Sequence, residues 1–186
     1  MNRFTLFSDF YCPFCYALHE RLHELQLIDS CAWQGVQHAP HLPRPMKPWA
    51  GSLSAELRHE VSVVRRLAPD LPVQLPTGKP NTGPAIEFAA ELLALDRRAG
   101  MTLVRTIYRA FWLEGRDISE AQVLTELAGY PTAQESSEKG QAGAREWAAA
   151  WEATGQADVP LIVASSGNLL AGCVPTEEIV KFFADH

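Results

Sequence analysis

Two thiols separated by two residues, in Cys12-Pro13-Phe14-Cys15, are the part of this chain best suited to chemistry. A thiol attacks only as the thiolate, and the first turn of a helix favours one through its unpaired N–H groups and positive dipole end. The pair follows the apolar run Phe4-Thr5-Leu6-Phe7 and opens a helix-compatible stretch, Tyr16 to Leu27. Pro13 suits the first helical position, where no N–H is needed. Two intervening residues place Cys15 one turn deeper, near enough to close a disulfide onto Cys12. The spacing predicts a pair that cycles between dithiol and disulfide, with Cys12 and Cys15 as its catalytic residues.

Other clusters compete with that reading. His19-Glu20-Arg21-Leu22-His23 spells H-E-x-x-H, in which two histidines one turn apart hold a metal and the glutamate activates water. The extended form of that motif needs Gly and His where this chain has Gln26 and Asp29, so a solvated helix face is the expectation. One ion shared by Cys12 and His23 is excluded by length, since eleven helical residues rise about 16 Å. A zinc site joining the pair to Cys31 and Cys173 lacks the two close pairs that structural four-cysteine sites use. Cys31 and Cys173 are expected as small buried hydrophobes. No metal ligand is nominated, and thiol exchange calls for no cofactor.

A chain of 186 residues, 47% hydrophobic and 20% charged, suffices for one sizeable core with an inserted subdomain. A formal net charge of -6, with no Lys/Arg block, argues against a nucleic-acid partner. Met1-Asn2-Arg3-Phe4 begins no long apolar core, and no later run approaches membrane-spanning length. The expectation is a cytoplasmic protein without membrane contact. Few cysteines and one close pair fit a catalytic pair in a reducing compartment.

The elements needed to hold the pair are legible. Residues 3 to 8 read as a buried strand, Leu18, Leu22 and Leu25 recur at helical spacing, and Ala32 to Val36 form a second strand. Pro40, Pro43, Pro45 and Pro48 then mark a crossing. From about Ser52 to Thr154 the periodicity is helical. Pro69, Pro72 and Pro76 part the first helix from the next, Gly100 is expected to close the second, and Ser119 to cap a helix through Leu127. Residues 134 to 154 are helix-permissive despite Gly140 and Gly143. Leu161-Ile162-Val163, a turn at Ser165 to Asn168 and Leu169-Leu170-Ala171 read as a hairpin, and Pro175, Thr176 and Glu177 begin a closing helix. The order βαβ, helical insert, ββα predicts an α/β fold with a mixed parallel and antiparallel sheet. The expected division is 1–48 with 155–186 as the outer domain and 49–154 as an all-helical insert.

Several of these pieces carry a family likeness: Asp9-Phe10 before the CxxC, Pro80-Asn81-Thr82, the run Ala110-Phe111-Trp112-Leu113-Glu114-Gly115-Arg116-Asp117-Ile118-Ser119, and Val159-Pro160 before the hairpin. Together they resemble DsbA-like thioredoxin-fold proteins, and among them the FrnE-type cytoplasmic branch. The resemblance implies a thioredoxin-like domain interrupted by helices, thiol-disulfide oxidoreductase activity, and a cis peptide at Val159-Pro160 beside the active site. It also implies substrate contacts at Pro13, Phe14, Val159 and Pro160. Phe10, Tyr11, Phe14 and Tyr16 are candidates for an apolar rim, with Phe14 exposed and Phe10 at least partly buried.

The chain departs from the family pattern at Asp158 and Leu161, where members commonly carry Gly and Thr. Phe14 replaces the histidine of strongly oxidising relatives and cannot donate a hydrogen bond to Cys12, so a moderate oxidant is expected. The substrates implied are thiols or disulfides of proteins or small molecules, glutathione among the latter. The alternative is a glutathione-dependent transferase or an isomerase of the hydroxychromene-carboxylate type, a branch that usually has Ser at the first position. Having both Cys12 and Cys15 favours the redox reading. A third reading, a non-enzymatic peptide-binding module, predicts that Cys12→Ser changes nothing.

Overall fold

The computed structural model describes residues 3–49, 53–129 and 137–186. Strand β1 (Phe4–Ser8) leads through a short loop into helix α1 (Pro13–Glu24), and a 3-10 turn at Ile28–Ser30 returns the chain to β2 (Cys31–Gly35). Helices α2 (Leu53–Leu67), α3 (Gly83–Leu95), α4 (Arg97–Glu114), α5 (Ala121–Ala128) and α6 (Glu138–Ala153) follow. The hairpin β3 (Leu161–Ala164) and β4 (Leu169–Ala171) and helix α7 (Thr176–Asp185) complete the chain. The strands form one mixed sheet in the order β2-β1-β3-β4, with β1 parallel to β2 and antiparallel to β3. The α/β class, the mixed sheet and its helical cover are as expected.

Strand β1 is central because its side chains serve both faces. Phe4 and Leu6 enter the main core, where Phe4 packs against Phe182 and Phe183 of α7. Phe7 points the other way, to Val36, Leu161 and Trp151 of α6. A strand buried on both faces reads as a continuous apolar run, which is how residues 4 to 7 read. Leu161, one of the two departures from the family pattern, is wholly buried in this second cluster.

Helix punctuation differs from expectation where packing overrides local signals. Gly100 lies inside α4; the break before it is at Asp96, whose carboxylate accepts the Ala99 N–H at 3.0 Å. A Cβ at Gly100 would come within 2.7 Å of the Leu93 backbone, so this glycine permits the close approach of α3 and α4. Glu120, not Ser119, occupies the N-cap position of α5, and the Ser119 hydroxyl bonds Asp117 at 2.7 Å. Ser137 caps α6, so that helix begins at Glu138; residues 134 to 136 of the expected segment, like 50 to 52 and 130 to 133 of the insert, lie outside the described residues. Gly140 is tolerated in α6 because the Glu87 carbonyl would lie 2.5 Å from a Cβ there. Helix α1 itself ends at Glu24, three residues early, where Gln26 takes a positive φ of 59°.

The pieces that carry the family likeness tie the proline-rich crossing to the helices. The Asn81 side-chain amide donates to the Pro40 and Leu42 carbonyls at 3.1 and 2.9 Å, while its Oδ1 accepts from Gln37 and the Gly83 N–H. Asp117 accepts the Met46 N–H at 2.6 Å. The crossing forms no helix or named strand, and contains a cis peptide at Arg44-Pro45.

The largest correction concerns the H-E-x-x-H segment, which is not a solvated face. His19, Glu20 and Arg21 are all buried, at 0, 5 and 6% exposure. The pattern misled because α1 is covered on more than one side, and Glu20 and Arg21 find their partners inside. Glu20 receives a two-pronged ion pair from Arg105 of α4, both contacts at 2.9 Å. Arg21 reaches across to the Val174 carbonyl and the Thr176 hydroxyl at 2.7 and 2.8 Å. His19 and His23 face each other through Nε2 at 3.2 Å. No group of three or more metal-ligating side chains occurs among the described residues.

Candidate active site

The first turn of α1 is built around the two sulfurs. Cys12 is the N-cap residue, with extended backbone, and Pro13 is buried at the first helical position. The Cys15 N–H donates to Cys12 Sγ at 3.4 Å, so a backbone donor of the helix start already faces the sulfur where negative charge would develop. Cys12 is half-buried and lines a cavity, whereas Cys15 is 1% exposed, and neither is in a disulfide. The Asp9 N–H points at Cys15 Sγ from below, at 3.4 Å. Burial, reinforced by the neighbouring Cys12, pushes the Cys15 thiol well above its ordinary value, with Ser8 and the Asp9 N–H acting in the other direction. Of the two sulfurs, only that of Cys12 faces the cavity, and burial favours the protonated form of Cys15.

The loop before β3 completes the mouth. Val159-Pro160 is cis, as the family likeness implies, and the Cys12 thiol lies 3.7 Å from the Val159 carbonyl. Phe14 and Val159 line the cavity; Pro13 and Pro160 are buried and do not. The four aromatics divide. Phe10 is fully buried between Trp33 and Tyr108, and Tyr16 is fully buried against Trp112. Tyr11 and Phe14 line the cavity, and Phe14 is half-buried where exposure is expected, because it packs against the main core. The cavity measures about 560 Å³.

Four features of this site were not nominated from the sequence. Asp9 and His38 sit just beyond the C-terminal ends of the parallel pair β1 and β2, the end where ligand sites of such sheets gather. The fully buried Asp9 carboxylate accepts the His38 N–H at 3.0 Å and lies 3.4 Å from the ring Nδ1. The hydrogen bond to Asp9 holds the His38 pKa above the usual histidine range, against the effect of burial. Cys173 is not a buried spacer, since it lines the same cavity as Cys12. Burial raises its thiol pKa, opposed by Arg21. Cys31, in contrast, is 0% exposed, and burial pushes it up to about 12. The remaining features are the charged side chains of α2 and Lys79, which face the cavity from the helical region.

The buried His19 and the half-buried His38 make opposite contributions to stability. Burial, together with His23 and Arg105, lowers the His19 pKa well below its ordinary value. As pH falls through about 6.5 the unfolded chain binds a proton at His19 that the native state refuses, so stability declines. His38 has a raised folded pKa, so its contribution is complete below about 6.5 and is lost as pH rises through the folded value. Urea unfolding between pH 7 and 5 is expected to show less decline in His19→Gln than in the wild type, by up to about 1.4 kcal/mol per pH unit. Equal slopes would contradict the assignment.

Comparison with known proteins agrees with this geometry. No curated protein matches the chain by sequence. Many solved structures share its fold, among them three that are similar over nearly their whole length. A protein of Nitrosomonas europaea provisionally assigned as a protein disulfide isomerase superposes with a TM-score of 0.78 at 16% identity, covering 98% of this chain and 95% of its own. The cytosolic disulfide reductase DsbM from Pseudomonas aeruginosa, solved with GSH, gives 0.71 at 18% identity, covering 98% and 99%. A 2-hydroxychromene-2-carboxylate isomerase gives 0.73 at 16% identity, covering 98% and 93%. At these identities the likeness is one of fold, and together with the Cys12–Cys15 pair it supports thiol-disulfide redox chemistry in general terms. The model of the DSBA-like thioredoxin domain matches residues 4–130, and the chain belongs to that family.

Proposed function

We propose that this protein is a thiol-disulfide oxidoreductase in which Cys12 forms the mixed disulfide and Cys15 resolves it. The observation that carries the reading is the difference between two sulfurs one helical turn apart: Cys12 at the N-cap on a cavity, Cys15 sealed beneath it. In the oxidising direction a substrate thiolate attacks the Cys12 sulfur of the disulfide and expels Cys15, which takes up a proton because burial disfavours its charge. A second substrate thiolate then attacks the substrate sulfur bound to Cys12, releasing the substrate disulfide and the reduced pair. Reduction of a substrate disulfide runs through the same mixed disulfide in reverse. The Val159 carbonyl and the Phe14 ring are the substrate contacts this reading assigns, with Pro13 and Pro160 fixing the backbone that presents them.

The substrates are thiols or disulfides of proteins or small molecules, and glutathione, present in the Pseudomonas aeruginosa structure, is one such thiol. We place the chain in the FrnE-type branch on the Pro80-Asn81-Thr82 and Ala110 to Ser119 pieces, and in the cytoplasm, which the cytosolic location of the Pseudomonas aeruginosa reductase supports. Recovery of the protein from a periplasmic fraction would overturn that location. We take residues 1–48 with 155–186 as the outer domain and 49–154 as its insert. No helix among the described residues is long and apolar enough to cross a membrane.

A redox titration tests the function. Phe14 supplies no donor to Cys12, and the helix start supplies one at 3.4 Å, so the potential is expected between about −270 and −120 mV, short of the strongest oxidants of this fold. The oxidised form should lose the Cys12 and Cys15 thiols together. Failure of these two to pair in any redox buffer would refute the reading. Isomerase activity that survives Cys15→Ser would favour the glutathione-dependent alternative instead.

A further inference from the structure

Three carboxylates, Glu56 and Glu60 of α2 and Asp158 beside Val159, face the cavity that holds Cys12, against one ammonium, Lys79. None of the three forms an ion pair with a Lys, Arg or His side chain among the described residues. Lys79 is already engaged, its Nζ lying 4.0 Å from the centre of the Tyr11 ring. The floor adds a second, independent feature. Asp9 is fully buried and lines the cavity; its Oδ2 is used by His38, but its Oδ1 has no hydrogen-bond partner. A buried carboxylate oxygen left without a donor costs free energy that a ligand N–H recovers. That oxygen belongs to the residue whose own N–H touches Cys15 and whose carbonyl accepts the Cys12 N–H at 3.2 Å, so a donor bound there lies beside the reacting sulfurs. The rest of the lining includes the apolar side chains Tyr11, Phe14 and Val159, and Val63 and Leu67, which continue the α2 face that carries Glu56 and Glu60; the other titratable cation, His38, is paired with Asp9.

Resting on the redox reading above, we propose that this site selects disulfides and thiols that carry a cationic amine or guanidinium within a few bonds of the reacting sulfur, and disfavours acidic ones. The same chemistry is found in small aminothiols and in cysteines flanked by Lys or Arg in a peptide. Glutathione, with two carboxylates and one ammonium, falls on the disfavoured side. Glu60 supports the idea from another direction: burial raises its pKa, Lys79 opposes this, and Glu56 adds to it. An arriving cation relieves that repulsion.

The test uses the reduced wild-type protein in single turnovers, in which the Cys12–Cys15 dithiol is oxidised and one disulfide is reduced to two thiols. Two small disulfides of equal length are compared, the dication cystamine and the dianion 3,3′-dithiodipropionate, and each rate is divided by that of the neutral dithiol dithiothreitol. A preference for cystamine of about tenfold or more is expected at low salt, since that ratio corresponds to about 1.4 kcal/mol and a few charges within several ångströms supply it. It should shrink in 1 M salt, where screening acts within about 3 Å, and in the double variant Glu56→Gln, Glu60→Gln. A second pair, cystine peptides flanked by Lys or by Glu, locates the source. Discrimination in either pair supports the proposal and says whether small molecules or peptides supply the cation. Equal or inverted normalised rates in both pairs, with both members reacting, overturn the proposal and leave the redox reading standing. Absence of reaction with every disulfide refutes the redox reading itself.

Discussion

Replacing Cys12 by serine is expected to lower the rate of insulin reduction by about 10³-fold or more, to the background of uncatalysed exchange. Serine at the N-cap keeps the helix start intact, because its hydroxyl accepts the same backbone N–H that Cys12 Sγ accepts from Cys15. The loss therefore reports chemistry and not unfolding. Neither remaining thiol near the site should rescue it. Cys15 is 1% exposed and burial holds its thiol protonated, so a substrate disulfide cannot reach a reactive sulfur there. Cys173 shares the cavity, but burial also raises its pKa and so keeps its thiol protonated. Retention of a tenth or more of the wild-type rate would show that another sulfur carries the exchange.

Trp112→Ala is expected to be the most destabilising single change. Trp112 of α4 is 0% exposed, packs on Tyr16 and Phe111, and its indole N–H donates to the Phe10 carbonyl at 2.9 Å. That bond joins the helical region to the loop that carries Cys12. Truncating a buried Trp costs about 3–5 kcal/mol through lost contacts and the cavity left behind, and the unpaired Phe10 carbonyl adds about 1–3 kcal/mol. Trp112→Phe keeps much of the packing and loses the hydrogen bond, so its cost should be clearly smaller. Urea unfolding of both variants checks this order. An alanine variant within about 1 kcal/mol of the wild type would show that α4 does not brace the loop that carries Cys12.

Local chemistry was legible in the sequence and non-local packing was not. The CxxC at a helix start, the apolar run of β1 and the hairpin around Gly167 each depend on a few neighbouring residues, and the α/β class followed from their order. Gly100 read as a helix terminator because glycine usually is one, but here its missing side chain lets Leu93 approach. His19-Glu20-Arg21 read as solvated because polar residues usually are. The partners of Glu20 and Arg21, namely Arg105, Val174 and Thr176, lie 85 to 155 positions away in the chain and leave no local mark. The same holds for Asp9 with His38 and for Cys173 beside Cys12. Each pairing is created by the parallel register of β1 with β2 or by the return of the chain after β4.

The central claim is that substrate sulfur joins Cys12 and is released by Cys15. Purified Cys15→Ser protein, incubated with a disulfide substrate and digested without reductant, assigns the attacking sulfur by mass spectrometry of the adduct. A stable mixed disulfide on the peptide containing Cys12, released by added dithiol, is the expected result. An adduct confined to Cys173, or no adduct while the variant still turns over substrate, would contradict the account.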